Sequence, residues 1–309
     1  MVASTDQTGS ALLGLSNSLA DAVENAGKSL VAVNARRHSP STGIHWRSGV
    51  IVTADHTLER DEGITITLPD GSQTAATIAA RDSGTDLAVL KAEGIDLPEA
   101  EIGDAGSLRV GHIVIAVARP GEGLSASWGT VSALSGAWRT WSGGQIDQLI
   151  RPDLTLYPGF SGGPLVDGQG RVVGINTSGL SRGLSLAIPA STVNRVVEQL
   201  LTRGRISRGY LGISLQPVRL PDNLKGSLGI SDSGALIVVS LEEGGPAEKA
   251  GLLVGDIIVS LDGKSVTDPR DIQSVLGSES VGKSIAAKLV RGGAPTELSI
   301  TVGERPARG

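Results

Sequence analysis

Residues 157–165 read YPGFSGGPL and place one hydroxyl, that of Ser161, among three glycines and two prolines. Glycines beside a serine let the backbone turn sharply and bring amide N–H groups up to a substrate carbonyl, because no Cβ stands in the way. If Ser161 is a nucleophile, the N–H groups of Gly159 and Ser161 are the natural donors to an oxyanion. A glycine-rich surface turn has the same composition, so this stretch needs partners elsewhere in the chain.

The order of candidate partners along the chain decides which serine hydrolase is possible. All four histidines precede Ser161; they are His38, His45, His56 and His112. This order excludes an α/β-hydrolase, which runs Ser, then Asp or Glu, then His. No suitable aspartate precedes His56, so a subtilisin-like order fails too. The chymotrypsin-like order is satisfied by His56, Asp86 and Ser161. The other three histidines lack partner motifs, and we predict surface or structural roles for them.

Composition narrows the class of protein. At 309 residues the chain predicts about two domains, and 39% hydrophobic with 19% charged residues indicates a globular fold. The net charge of -5 does not indicate the basic surface that nucleic-acid binding requires. There is no cysteine, so disulfides and thiol nucleophiles are excluded. No Walker loop and no metal-ligand spacing such as His-Glu-x-x-His occurs, so we predict neither a cofactor nor a metal.

The sequence contains no run of 18 or more apolar residues, so it predicts no membrane-spanning helix. Residues 1–6 lack the basic start and apolar core of a secretory signal. We therefore expect either a cytosolic protein or a chain whose targeting segment has been removed.

Periodicity divides the chain into segments. Residues 11–27 show a loosely helical spacing that ends near Gly27. Between residues 29 and 188, short β-rich runs alternate with turn signals, which favours antiparallel sheets arranged as sandwiches or closed barrels. A helix is predicted after Pro189, with Ser191 or Thr192 as its cap and Gly204 at its end. A second β-rich unit, residues 208–302, carries one predicted helix after Pro269.

Longer sequence motifs resemble those of one particular protein family. Six stretches carry this resemblance: residues 48–56, 81–91, 103–117, 158–166, 208–213 and 245–263. Together they resemble the HtrA/Deg family of trypsin-like serine proteases with a C-terminal PDZ domain. The resemblance implies an all-β, chymotrypsin-like protease domain of two six-stranded antiparallel β-barrels, followed by an α+β PDZ domain. It also implies the boundaries: an N-terminal helical segment at 1–28, the protease domain at 29–203, a linker at 204–207 and the PDZ domain at 208–309.

The resemblance assigns roles to individual residues. His56, Asp86 and Ser161 are the implied catalytic triad, with Asp86 favoured over Asp82, and Gly159 and Ser161 form the oxyanion hole. The implied substrate-binding segment is Thr177, Ser178 and Gly179. Residues 177–188 include Arg182 but no acidic residue, so we expect apolar side chains at P1. Phe160 stands where many members have Asn, which bears on pocket shape.

In the second unit, the resemblance implies that Leu211, Gly212 and Ile213 bind the carboxylate and last side chain of an extended C-terminal peptide. The facing wall is expected from the helix after Pro269, through Ile272, Val275 and Leu276. A groove of this kind takes the peptide as an added strand.

The function that follows is an ATP-independent serine endopeptidase of protein quality control, cutting unfolded chains and binding C-terminal peptides at its PDZ domain. A non-proteolytic chaperone or peptide-binding scaffold remains the alternative. The resemblance suggests the cell envelope or periplasm. Residues 1–45 contain no aromatic side chain, which argues against the trimer contact common in the family and leaves a homo-oligomer open.

Overall fold

The structure, a computed structural model, describes residues 5–37, 39–181, 183–206, 209–221, 225, 234–277 and 280–304. His38 and Arg182 lie outside these residues. The chain divides into two compact units, Met1–Arg205 and Ile206–Gly309.

The first unit begins with a helix and a closed barrel. Helix α1 spans Thr5–Gly27, so it starts six residues before the predicted segment, and its second half packs against the second barrel. Six antiparallel strands follow: β1 (Leu30–Asn34), β2 (Ser41–Arg47), β3 (Val50–Ala54), β4 (Ile64–Thr67), β5 (Gln73–Asp82) and β6 (Leu87–Ala92). Their order is β1-β2-β3-β6-β5-β4, and pairing of β1 with β4 closes the barrel. Branched side chains such as Val31, Ile51 and Leu90 fill it.

A second barrel follows in the same unit. Its region contains β7 (Ile113–Ala118), β8 (Ser125–Ser135), a small hairpin of β9 (Trp138–Arg139) and β10 (Gln145–Ile146), β11 (Leu149–Asp153), β12 (Pro164–Val166), β13 (Val172–Thr177) and β14 (Leu186–Pro189). The six barrel strands run β7-β8-β11-β14-β13-β12, and β12 pairs with β7. If the six strands of each barrel are numbered in chain order, both barrels have the same neighbour order: first, second, third, sixth, fifth, fourth. The predicted pair of six-stranded antiparallel barrels is confirmed.

Helix α2 (Ala190–Arg203) closes the first unit. Its buried face, Val193, Val196, Val197 and Leu200, contacts β5 and β6 of the first barrel and β13 and β14 of the second. It ends at Gly204, as predicted, where a positive φ of 71° suits glycine. The predicted cap is wrong: the N-cap position is occupied by Pro189, which makes no side-chain capping hydrogen bond, and the helix starts at Ala190. Thr192 lies inside the first turn, and its hydroxyl accepts the N–H of Asp147 at 2.9 Å.

In its described ranges, the second unit combines a main sheet with short helices. Its strands are β15 (Gly209–Tyr210), β16 (Ile213–Arg219), β17 (Gly234–Leu241), β18 (Ile257–Leu261), β19 (Lys264–Ser265), β20 (Ser284–Arg291), β21 (Ala294–Thr301) and β22 (Gly303–Glu304). The main sheet runs β16-β17-β18-β20-β21, with β19 on β18, while β15 pairs with β22. Helix α3 (Pro246–Lys249) was not predicted, and α4 (Pro269–Val275) ends one residue before Leu276. This mixture is the α+β unit expected after the barrels. None of the helices in the described ranges is long and apolar enough to span a membrane.

Candidate active site

His56 lies in a one-turn 3-10 helix, Asp55–Thr57, directly after strand β3. The turn is held from the first barrel by Arg81, whose guanidinium donates to the buried carboxylate of Asp55. The same guanidinium reaches the carbonyl oxygens of Asp55 and Leu58, each at 3.4 Å. The imidazole stands at the barrel rim with 31% of its side chain exposed. His56 is therefore both accessible and carried on a fixed turn.

Asp86 occupies the turn between β5 and β6 in a left-handed backbone conformation, with φ at 59°. A residue with a Cβ pays about 1–2 kcal/mol for this conformation, so its surroundings must hold it there. The carboxylate of Asp82 accepts the N–H of Thr85 at 3.1 Å and its hydroxyl at 2.7 Å, which fixes the turn. The carbonyl of Asp86 accepts the N–H of Asp55 at 3.1 Å. Asp82 thus shapes the turn, and Asp86 is the carboxylate that reaches His56.

The His56 ring is bound edge-on by that carboxylate. His56 Nδ1 lies 2.8 Å from Asp86 Oδ2 and 3.0 Å from Oδ1, and the backbone N–H of His56 donates to Oδ1 at 2.9 Å. The hydroxyl of Thr177, at the end of β13, donates to Oδ2, and Thr177 Oγ1 accepts the N–H of Gly179 at 2.8 Å. This pairing puts the ring proton on Nδ1 and leaves Nε2 as an acceptor.

Gly179 lies directly against this pair. A Cβ built on it would be 2.6 Å from His56 Nδ1 and 2.8 Å from Asp86 Oδ2, closer than carbon and polar atoms approach. Its φ is not in the left-handed region. Proximity to the pair, and not a turn requirement, therefore makes glycine necessary at this position.

Ser161 comes from the second barrel, in the loop between β11 and β12. Gly159 and Gly162 on either side have φ of 89° and 88°, which lets the loop bend tightly around the hydroxyl. The N–H of Gly162 donates to the carbonyl of Asn176 at 3.0 Å, and the hydroxyl of Thr42 donates to the carbonyl of Gly159 at 2.7 Å. The loop is thereby attached to strands of both barrels.

Two backbone donors of this loop remain available. Within the described residues, neither the N–H of Gly159 nor that of Ser161 donates to a protein acceptor. The intervening Phe160 is buried in the core of the second barrel, with its ring centroid 5.7 Å from that of Tyr157 in an edge-to-face contact. Burial of Phe160 anchors the loop through an apolar side chain.

The third hydroxyl at the site was not predicted in this position. Ser178 Oγ lies 3.2 Å from Ser161 Oγ and 3.5 Å from His56 Nε2, and the Ser178 N–H donates to Ser161 Oγ at 3.4 Å. Within the described part of the chain, no hydrogen bond joins Ser161 directly to His56. The structure thus brings His56 and Asp86 into contact and brings Ser161 beside them, with the Ser178 hydroxyl in contact with both the serine and the histidine. Sequence reasoning had assigned Ser178 to substrate binding only.

The segment after Ser178 bears on specificity. Leu186 is buried in β14, whereas Leu184 is 48% exposed and Leu180 is partly buried. No carboxylate from this segment is near the hydroxyl of Ser161, since residues 177–188 contain none.

In the second unit, the predicted groove residues lie together. Leu211 and Ile272 are buried in one apolar cluster, and Ile213, Val275 and Leu276 pack against it. Gly212 has a φ of 73°, and within the described residues neither Leu211 nor Gly212 donates its N–H to a protein acceptor. Strand β16, which begins at Ile213, is an edge of the main sheet. An edge strand, free donors and a facing helix are the parts that strand addition requires.

Other features of the first unit lie apart from the triad. A surface depression of about 830 Å³ is lined by Ile102–Gly106, Leu134–Gly136 and the start of helix α2, and none of the triad residues lines it. The described residues contain no cluster of three or more His, Cys, Asp or Glu side chains arranged to hold a metal ion.

Comparisons with known proteins agree with this geometry. Residues 41–175 match the family model of the trypsin-like peptidase domain, and residues 209–302 match that of the PDZ domain. A relative from Brucella suis biovar 1 (strain 1330), named probable periplasmic serine endoprotease DegP-like, is 36% identical over 269 residues, covering 84% of this chain and 51% of the relative. A relative of the same name from Pseudomonas savastanoi pv. phaseolicola is 37% identical over 267 residues, covering 84% of this chain and 55% of the relative.

The chain spans about half the length of these curated relatives. A solved structure of the HtrA-type protease AlgW with a tripeptide superimposes with a TM-score of 0.73 at 30% identity, covering 94% of this chain and 98% of that one. Fold, domain order and sequence therefore agree, and the chain belongs to the HtrA family of trypsin-like serine proteases that carry a PDZ domain after the protease domain.

Proposed function

We propose that the chain is an ATP-independent serine endopeptidase that uses Ser161 as nucleophile, His56 as general base and Asp86 as the carboxylate that orients the imidazole. One observation carries this proposal: His56 paired with Asp86 on one barrel lies beside Ser161 on the other, with two free N–H groups next to the serine. In the reaction, Ser161 Oγ attacks the scissile carbonyl as His56 Nε2 takes its proton, and His56 returns this proton to the leaving amine when the C–N bond breaks. Water, losing a proton to the same imidazole, then hydrolyses the acyl-enzyme and restores Ser161. The N–H groups of Gly159 and Ser161 receive the oxyanion, where each such donor contributes about 10²–10³ in rate.

The substrate class is inferred from the same site. We assign peptide binding to Thr177, Ser178 and Gly179, with apolar residues at P1, because the segment that follows has leucines and no carboxylate. Unfolded proteins fit such a preference, since unfolding exposes apolar segments. The Leu211–Ile213 groove is proposed to bind substrate C-termini. Relatives named as periplasmic endoproteases support a location in the periplasm or cell envelope.

The experiment that tests this proposal is digestion of casein by the wild-type chain and by Ser161→Ala. We expect the variant to lose cleavage by a factor of about 10⁴ or more, because a nucleophile that acts as one unit with its base has been removed. Cleavage sites mapped by mass spectrometry are expected after apolar residues. A variant that keeps activity within about tenfold of wild type would refute the triad assignment.

The alternative, a non-proteolytic chaperone or scaffold working through the PDZ groove, makes the opposite prediction. In that case the wild-type chain would leave casein intact and would still suppress aggregation of an unfolded protein, equally well with Ser161→Ala.

A further inference from the structure

Ser178 makes contacts that peptide hydrolysis by a triad does not call for. Its hydroxyl lies 3.2 Å from Ser161 Oγ and 3.5 Å from His56 Nε2, which are the two atoms between which a proton must pass. A general base ordinarily lies about 2.6–3.2 Å from the proton donor it serves. Here a second hydroxyl, that of Ser178, contacts both the donor and the base.

The direction of each hydrogen bond follows from the chemistry of the groups. Asp86 accepts from His56 Nδ1, so Nε2 carries the lone pair and must be the acceptor. The proton of Ser178 is therefore the one directed at Nε2. A hydroxyl has a single proton, so Ser178 Oγ accepts from Ser161 in its other contact. Both the proton that Ser161 must lose and the lone pair that must receive it are directed at Ser178.

The backbone on both sides of the site is fixed, so only rotation of a side chain can change these hydrogen bonds. Asn176 and Thr177 are fixed in β13, where the Asn176 carbonyl accepts from Gly162 and the Thr177 hydroxyl donates to Asp86. The Ser161 loop is fixed by the same hydrogen bond from Gly162. Rotation of Ser161 about its Cα–Cβ bond is therefore the motion that brings Oγ from Ser178 to His56.

We propose that Ser178 is a positioning residue that holds Ser161 away from His56 in the substrate-free protein, so that the reactive orientation is a minor one until Ser161 rotates. This inference rests on the proposed function and adds to it a ground-state restraint. The 3.2 Å contact between the two hydroxyls is longer than the roughly 2.5–3.0 Å of ordinary O–H···O bonds, and the 3.5 Å contact with His56 Nε2 is longer than the roughly 2.7–3.2 Å usual between nitrogen and oxygen. Hydrogen bonds of this length favour a weak restraint on Ser161 over proton transfer through the Ser178 hydroxyl.

The test compares Ser178→Ala with wild type in two assays. One is the second-order rate at which diisopropyl fluorophosphate modifies Ser161, which reads the reactivity of the serine without a peptide. The other is kcat/KM for a short chromogenic peptide, which starts from the substrate-free enzyme. We expect both to rise about fivefold, the change in population that one hydrogen bond of ordinary net strength produces. Ser178→Thr keeps a γ-hydroxyl, and its rates should fall back from those of the alanine variant towards wild type.

A matched control is Ser284→Ala in the second unit, which removes a hydroxyl whose contact is also another serine hydroxyl, that of Ser299 at 2.7 Å. Its rates should not change. A fall in both rates with Ser178→Ala would overturn the proposal and indicate that Ser178 passes the proton on. Unchanged rates would overturn it as well. If wild type neither cleaves the peptide nor is modified at Ser161, the proposed function is refuted. The proposed role of Ser178, which depends on that function, is then refuted as well.

Discussion

At the scale of single residues, the His56–Asp86 pair depends on a neighbour without a side chain. Gly179 leaves room for the pair, since its Cβ would meet His56 Nδ1 at 2.6 Å and Asp86 Oδ2 at 2.8 Å. Both atoms are needed where they are, so neither can move away without loss. An added methyl group would be accommodated only by displacing the imidazole or the carboxylate.

We therefore predict that Gly179→Ala lowers kcat on a short peptide by about 100-fold, the usual effect of misplacing a catalytic group by about 1 Å. The control is Gly168→Ala, which has no atom within 4 Å of its Cβ and no positive φ. All four tryptophans lie in the first unit, so their fluorescence during urea unfolding shows whether that unit still folds. A folded Gly179→Ala protein with more than half the wild-type kcat would contradict the close contact.

At the scale of elements, strands with continuous branched residues were predictable and others were not. The runs GVIV at 49–52 and RVVGI at 171–175 predict strands from the sequence, and they lie within one or two residues of β3 and β13. Strands β5 and β8 were missed, because their sequences, QTAATIAARD and SASWGTVSALS, are dominated by small and polar residues. Their pairing partners in a closed barrel, and not their own propensity, make them strands.

The candidate site, like the strands, could be predicted only in part from the sequence. The order His, Asp, Ser along the chain identified the three residues that the structure brings together. Ser178 and Gly179 were placed nearby only through the family resemblance, and their contacts with the reacting atoms could not be predicted. Those contacts depend on side-chain rotamers and on distances between two barrels, which no local pattern encodes.

In the second unit, a buried ion pair links the start of β18 to the end of β20. Asp256 is almost fully buried, and its carboxylate accepts from Arg291 at 2.8 and 2.7 Å and from the N–H of Leu253 at 2.8 Å. Burial works to raise the pKa of Asp256, but the hydrogen bonds from Arg291 and Leu253 outweigh it and leave this pKa below its ordinary value of 3.8. A carboxylate of this kind stabilises the fold above its unfolded pKa, and the contribution is lost as pH falls through the folded value.

Asp256→Asn should thus destabilise the second unit at pH 7 by about 2–3 kcal/mol, less than a fully buried pair because Arg291 is 35% exposed. The difference from wild type should shrink as the pH falls below about 4. Hydrogen exchange of peptides from β17 and β18, corrected for intrinsic rates, measures both. Glu297→Gln, an exposed change in β21, is the control and should have little effect. A difference that is constant from pH 7 to pH 3 would rule out the ionised pair as its source.

At the scale of the whole molecule, the chain joins a proposed cutting site to a proposed peptide groove. Binding of a C-terminal peptide by strand addition engages few side chains and must order the peptide, so it is weak by itself. A covalent connection to the protease unit raises the effective concentration of the bound substrate. The benefit should appear only for substrates that offer the groove a free C-terminus.

Deleting residues 206–309 should accordingly leave cleavage of a short peptide within about twofold of wild type and slow cleavage of proteins with apolar C-termini by about tenfold or more. Amidating those C-termini should have the same effect on the full chain. Initial rates on the paired substrates give the comparison. An equal loss on peptide and protein would instead assign the second unit to maintaining the protease unit.

The two barrels, wound in the same order, contribute unequally to the site, and this has a consequence for biosynthesis. A ribosome completes the barrel with His56 and Asp86 before it makes Ser161, and it makes Thr177, Gly179 and helix α2 later still. A nascent chain that has folded only its first barrel holds a histidine–carboxylate pair with no nucleophile. If the proposed triad is correct, hydrolytic activity arises only after the second barrel has emerged and closed, and a chain still being translated would have no means of cutting itself or its neighbours.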